Sequence, residues 1–154
     1  MSVVIEPSTN RDLILGWGAV IGGFSRTSQQ LMAQLTDELG YPAGWFEILM
    51  RLLWTGDERG IPMTTLAREV SLTSGGFTKI ADRMVDAGLM TRTTCASDRR
   101  KTYAQLTPTG REVAERAERV HAEGLKQYVV DVLGTEDTAT LVRIMGILRD
   151  THGC

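Results

Sequence analysis

The chain of 154 residues has only two cysteines and two histidines. Cys95 and Cys154 are too far apart in the sequence to suggest a disulfide framework or paired zinc ligands, so reduced thiols are expected. His121 and His152 are likewise too far separated to indicate a metal pair. No run approaches the roughly 18 unbroken apolar residues of a membrane span, and the start of the sequence lacks the features of a secretion signal. We therefore expect a cytoplasmic protein with no membrane partner and no metal.

Motifs that mark enzymes are missing as well. The sequence has no nucleophile elbow, no phosphate-binding glycine loop, no metal motif and no cluster of histidines with carboxylates. These absences predict that the protein is not an enzyme and that it has neither catalytic residues nor a cofactor. The length allows one domain, or a small module with an oligomerisation element, around a buried core.

Charge is distributed unevenly along the chain, although the net charge is only −2. Residues 63–111 contain 8 Lys and Arg against 4 Asp and Glu, a net +4, while the remainder contains 9 against 15, a net −6. A segment of excess positive charge is typical of a nucleic-acid contact. Because +4 is small for one copy bound to DNA, two copies acting together are favoured.

Apolar residues at helical spacing predict six helices. The first ends near Gly40, and the second carries Pro42 in its first turn. A short third helix is expected to begin with a cap at Thr64 or Thr65, with a brief strand near Ile61 before it.

The middle of the chain predicts a helix followed by a hairpin. Thr73 is the expected N-cap of the fourth helix, and Gly88 is expected to end it in a left-handed conformation, with Leu89 as the accompanying hydrophobic contact. Strands are expected at about 89–94 and 102–106.

The fifth helix has two candidate starts. Thr107 followed by Pro108 is one, and a capping box of Thr109 with Glu112 is the other. Gly134 is expected to end this helix, and a sixth helix follows.

Residues of the fourth helix suggest a DNA-reading surface. Its exposed face carries small and hydrogen-bonding side chains opposite the apolar stripe, which suits a helix end that approaches base edges. The other interpretation is an ordinary amphipathic helix with a solvated face. The residues on this face are Ser74, Gly75, Thr78, Lys79 and Asp82.

The hairpin tip reads Ser97, Asp98, Arg99, Arg100 and Lys101. Three adjacent cations repel one another unless an anion lies opposite, and a carboxylate two residues before Arg100 can clamp its guanidinium. A solvated turn kept soluble by its charge is the alternative. Together with the preceding helix pair, the tip predicts a winged helix-turn-helix that binds DNA.

Two stretches resemble the MarR (multiple antibiotic resistance regulator) family. They are "LAREVSLTSGGFTKIADRMVDAGLMTR", beginning at Leu66, and "DRRKTYAQLTPTG", ending at Gly110. The spacing of Asp98, Arg100, Leu106, Thr107 and Gly110 is similar to that family's wing signature.

The resemblance implies a mainly α (α+β) fold, a winged helix-turn-helix with long N- and C-terminal helices that form a dimerisation domain. Residues 10–56 are then the N-terminal helices, with the first in dimerisation, 57–110 the DNA-binding domain, and 111–150 the C-terminal dimerisation helices. It also implies a homodimer that binds a palindromic operator in double-stranded DNA, usually as a repressor. The implied DNA-contact residues are Thr73, Ser74, Gly75, Gly76, Thr78, Lys79, Arg83, Asp98, Arg99, Arg100 and Lys101.

Many such regulators release DNA when a small phenolic or lipophilic molecule binds. The side chains that can line such a pocket here are aromatic and lie at helical spacing, so a plain core role is the competing interpretation. They are Trp17, Phe24, Trp45 and Trp54. Oxidation of Cys95 near the wing cations is a further hypothesis, against a structural cysteine at a strand end.

A winged-helix adaptor that binds protein rather than DNA is the alternative function. Such an adaptor has no need of three adjacent cations, and its binding would not follow salt steeply.

Overall fold

A computed structural model describes residues 9–70, 74–95, 98 and 100–152, and the side chain of Ser74 lies outside the described part. The chain forms two compact units. Unit 1 contains residues 1–34 and 123–154, and unit 2 contains residues 35–122.

Unit 2 contains a small antiparallel sheet among short helices. The first long helix, α1 (Asn10–Leu39), ends within it, and the helix α5 (Pro108–Leu125) begins within it. Between them lie a 3-10 turn (Ala43–Trp45), α2 (Phe46–Trp54), β1 (Ile61–Pro62), α3 (Met63–Glu69), α4 (Ser74–Asp86), β2 (Met90–Thr94) and β3 (Thr102–Leu106).

The sheet has the strand order β1-β3-β2, and both pairings are antiparallel. Met90 lies opposite Leu106 and Thr94 opposite Thr102, so β2 and β3 form a regular hairpin over five residue pairs. Ile61 pairs with Ala104 on the other edge of β3, which confirms the short strand expected there. Because α3 and α4 precede this hairpin in the chain, unit 2 contains a winged helix-turn-helix, as predicted.

The core of unit 2 is made by the apolar faces of its helices and by the strand ends. Alternation along β2 and β3 turns Met90 and Ala104 inward, while the helical stripes supply the other members. The fully buried side chains of this core are Leu35, Ile48, Leu49, Leu66, Ala81, Met84, Leu89, Met90, Ala104, Ala114 and Ala117.

Two helix starts differ from the sequence-based expectation. Pro42 does not lie in the first turn of α2 but precedes the 3-10 turn that leads into it. Helix α3 begins at Met63, without a side-chain cap from Thr64 or Thr65, because Pro62, at φ −54° and ψ 132°, supplies the extended conformation before the first turn. The expected N-cap Thr73 lies outside the described residues.

The start of α5 is capped by Thr107. The backbone N–H of Gly110 donates to Thr107 Oγ1 at 2.9 Å, and the N–H of Arg111 donates to the Thr107 carbonyl at 2.8 Å. The alternative capping box of Thr109 with Glu112 is therefore wrong, because the helix already begins at Pro108.

Apart from Thr9 and Gly134, the described part of unit 1 is helical. It contains most of α1 and the end of α5, which continues through a π-helical stretch (Lys126–Val130) and a last turn (Asp131–Leu133). Gly134, at φ +80°, ends this helix as expected, and α6 (Thr135–His152) follows. No described helix is both long and apolar enough to cross a membrane.

Candidate nucleic-acid interface

Helix α4 presents one apolar and one polar face. Phe77, Ala81 and Met84 are buried against the core, while Thr78 and Lys79 are exposed on the opposite side. The 3.6-residue period of the helix produces this separation.

The other predicted contact residues of α4 extend this picture. Gly75, Asp82 and Arg83 are exposed and Gly76 is half-buried. An ideal Cβ at Gly75 would have no heavy atom within 4 Å, so the first turn of α4 leaves open space beside its backbone. Nothing is described of the Ser74 side chain.

A Schellman motif ends α4. The N–H of Leu89 donates to the Met84 carbonyl at 3.0 Å, and the N–H of Gly88 donates to the Val85 carbonyl at 2.9 Å. Gly88 has φ +71°, which side chains other than glycine rarely adopt, and Leu89 is fully buried. The predicted stop and its hydrophobic contact are both confirmed.

Thr107 joins this turn to the start of α5. Its Oγ1 donates to the Gly88 carbonyl at 2.6 Å, and its N–H donates to the Leu89 carbonyl at 3.0 Å. The same hydroxyl accepts from Gly110, so one side chain caps α5 and also holds the turn after α4. The end of α4 and the start of α5 are thereby fixed to each other.

The wing extends beyond the paired strands. The N–H of Cys95 donates to the Lys101 carbonyl at 2.9 Å, and the N–H of Lys101 donates back to the Asp98 carbonyl at 2.9 Å. Arg100 and Lys101 are exposed, and Asp98 and Cys95 are half-buried. Arg99 and Ser97, also predicted at this tip, lie outside the described residues.

Asp98 orders the wing differently from the expected guanidinium clamp. Its Oδ1 accepts a hydrogen bond of 3.0 Å from the backbone N–H of Arg100. An aspartate readily makes this Asx turn because its short side chain reaches the N–H two residues on. Among the described residues no ion pair joins the Asp98 carboxylate to the Arg100 guanidinium, which leaves that guanidinium exposed.

An ion pair between α4 and β2 was not predicted from the sequence. Arg92 Nη1 lies 2.7 Å from Asp82 Oδ1. Alternation from Met90 along β2 was the available signal, since it places Arg92 on the face of the sheet turned toward the helices. The pair offsets the negative charge of Asp82 on the exposed face of α4.

Solved structures of similar fold cover nearly the whole chain. Sco3205 from Streptomyces coelicolor, a MarR family transcriptional regulator in complex with DNA, is 28% identical, with a TM-score of 0.78 over 93% of this chain and 89% of that one. AbsC, a MarR family regulator from the same organism, is 24% identical, with a TM-score of 0.80 over 97% and 100%. A MarR variant from E. coli complexed with operator DNA is 22% identical, with a TM-score of 0.74 over 92% and 99%.

No curated protein matches the sequence. The MarR family model matches residues 46–102, which run from the start of α2 to the start of β3. The matched segment contains most of the winged helix-turn-helix described above. The resemblance found in the sequence is thus confirmed, and the match contains α4, Asp82, Arg92 and the tip of the wing.

The four aromatic residues proposed for an effector pocket lie in different surroundings. Trp45 is buried and stacks on Tyr41, with ring centroids 5.4 Å apart. Trp54 is 65% exposed, and its Nε1–H donates to Glu118 Oε1 at 2.8 Å. Both belong to unit 2, whereas Trp17 and Phe24 are exposed on α1 in unit 1.

Trp54 borders an open groove of about 430 Å³ within unit 2. Ile61 and Pro62 supply apolar surface there, and Arg51 lies at the rim, where its Nη1 is 3.2 Å from Glu69 Oε2. An aromatic side chain beside an apolar floor and a charged rim is a surface that small organic molecules can use.

His121 is half-buried on α5, and its ring centroid lies 4.4 Å from that of Phe46. Burial lowers the pKa of this imidazole, because a protonated ring would lose hydration. Its Nδ1 is buried and has no hydrogen-bond partner within the described part of the chain. In that same part, no group of three or more His, Cys, Asp and Glu side chains is arranged to hold a metal ion.

Proposed function

We propose that the protein is a sequence-specific regulator of transcription that binds double-stranded DNA as a homodimer in the cytoplasm. The observation that carries the proposal is the joint presentation of α4 and the wing by unit 2. The polar face of α4, with Thr78 and Lys79, suits the major groove, and exposed Arg100 and Lys101 suit the neighbouring phosphates or minor groove.

The contact residues fall into two groups by chemistry. Gly75 and Gly76 allow the backbone to approach base edges, while the other residues donate hydrogen bonds to bases or phosphates. The wing residue Asp98 orders the loop. We assign DNA contact to Thr73, Ser74, Gly75, Gly76, Thr78, Lys79, Arg83, Arg99, Arg100 and Lys101, with Asp98 in support.

The surface of unit 1 supports the homodimer. Every large hydrophobic residue that is strongly exposed in the described chain belongs to unit 1, apart from Trp54. Such a concentration of apolar surface is typical of an interface between protein chains. A two-fold dimer reads two related half-sites, which supports a palindromic operator. The residues with the largest exposure on these helices are Ile14, Phe24, Val132 and Val142.

A small phenolic or lipophilic effector is the finer part of the proposal. The groove beside Trp54 supports it, because an exposed indole next to Ile61 and Pro62 offers apolar contact to an aromatic ring. Release of DNA by such a molecule would make the protein a ligand-responsive repressor.

Selection of duplexes from a random pool by the purified protein tests the DNA proposal. We expect enriched fragments to share two inverted half-sites, and binding of the enriched duplex to weaken steeply as salt rises. A protein-binding adaptor would enrich no duplex, and any residual binding would lack this salt dependence. That result would overturn the proposed function.

A further inference from the structure

Within the described part of unit 2, one ion pair connects α4 to the wing strands. Arg92 lies in the middle of β2, opposite buried Ala104, and shares a face of the sheet with buried Met90. Its guanidinium is therefore directed toward α4, where it reaches Asp82 at 2.7 Å. The side chains of Arg92 and Asp82 are 32% and 53% exposed, so the pair lies at the edge of the core, in reach of solvent.

Asp82 occupies an awkward place for a DNA-binding helix. It lies on the exposed face of α4, one turn beyond Thr78 and Lys79, and residues three or four apart on a helix are neighbours. An uncompensated carboxylate there would repel phosphates and would attract the Lys79 ammonium. In the described chain Asp82 pairs with Arg92, and no ion pair engages Lys79.

We propose that Arg92 is a positioning residue for DNA recognition. It holds the Asp82 carboxylate on the side of β2, compensates its charge, and so leaves Lys79 available to the duplex. Arg92 acts through Asp82 and makes no DNA contact of its own. The inference rests on the proposed function, because DNA supplies the anion that Lys79 is kept free to meet.

Four variants test this on the duplex enriched by the wild-type protein, with binding followed by fluorescence anisotropy at two salt concentrations. Arg92→Ala should bind about tenfold more weakly, with a salt slope smaller by about one, because one DNA-facing cation is lost to Asp82. Asp82→Asn should bind about two- to fivefold more tightly, since it removes a repulsive charge. The double variant should return to within about twofold of wild type, since the charge to be compensated is gone. Arg116→Ala, which removes another exposed ion pair of unit 2 (3.7 Å to Glu38), is the matched control and should bind as wild type.

The Tm of each variant, measured without DNA, separates an effect of Arg92 on DNA binding from an effect on the stability of the fold. Arg92→Lys retains the charge and should restore most of the affinity. A double variant that binds as weakly as Arg92→Ala, or an Asp82→Asn variant that binds more weakly than wild type, would overturn the inference. Unchanged binding by Arg92→Ala would overturn it while the proposed function stands. A wild-type protein that binds no duplex would overturn both.

Discussion

Replacing Gly110 with alanine tests the junction between α4 and α5. Gly110 lies in the first turn of α5, and a Cβ placed there would lie 1.8 Å from the carbonyl oxygen of Leu89 and 2.7 Å from its carbonyl carbon. Both of these atoms belong to backbone, and the Leu89 carbonyl already accepts from Thr107. The overlap therefore cannot be relieved by turning a side chain, and α5 must move away from the backbone of Leu89.

The expected loss of stability follows from two opposing effects. In an open helix, Gly→Ala stabilises by up to about 1 kcal/mol. Here overpacking costs about 1–3 kcal/mol, and weakening the hydrogen bond from Thr107 to Leu89 costs about 1 kcal/mol more. The net loss is about 1–3 kcal/mol, which lowers the Tm of a chain of this length by about 3–10 °C.

Thermal melts of the DNA-free protein measure this change, with Gly75→Ala as the matched control. Gly75 also lies in the first turn of a helix in unit 2, but a Cβ there would meet nothing within 4 Å. The control should therefore melt at or slightly above the wild-type temperature. If Gly110→Ala is as stable as the control, the close approach of α5 to Leu89 is wrong.

Three further predictions concern the wing, the dimer and pH. Arg100→Ala should weaken binding to the enriched duplex about tenfold and reduce the salt slope by about one, whereas unchanged binding at moderate salt would contradict the role of the wing. Phe24→Glu should shift the protein toward monomer in sedimentation measurements, because it places a charge on the exposed apolar surface of unit 1. Since burial lowers the pKa of His121, the unfolded chain binds more protons than the folded one, so this residue contributes stability that is present above about pH 6.5 and lost as the pH falls. His121→Gln should melt with less dependence on pH below that value.

Local features of the fold were predictable from the sequence because they depend on neighbouring residues. Gly88 requires only its own backbone freedom and the following Leu89 to end α4, and the strand at 102–106 follows from alternation between two turn signals. The start of α3 was less predictable. Threonine is one of the residues preferred at the N-cap of a helix, which favoured Thr64 or Thr65. In the structure Pro62 occupies this position and fixes the backbone before α3 without a side-chain acceptor.

The candidate site was predictable in its positions but not in its pairings. The exposure of Lys79 and Arg100 follows from helical and hairpin periodicity, which a sequence displays directly. The partners of Asp82 and Asp98 cannot be read from this periodicity, because the sequence places several cations near each carboxylate. Asp98 bonds to a backbone N–H two residues away, whereas Asp82 pairs across an element boundary with Arg92. Only the packing of α4 against β2 decides the second case.

The two units leave different kinds of surface exposed, and this division links the two parts of the proposed function, dimerisation and DNA binding. Unit 1 exposes apolar side chains, and burying them against a second copy is favourable by about 25 cal/mol per Å² of apolar surface removed from water. The cations of α4 and the wing in unit 2 need an anion, but one copy carries only a small positive excess between residues 63 and 111. Each phosphate contact contributes about 0.9 to the salt slope, so pairing two copies doubles that contribution. It also turns the second half-site contact into an intramolecular event, with an effective concentration far above that of free protein. On the proposed function, a second copy joined through the surface of unit 1 therefore raises the affinity of a weakly charged module for DNA.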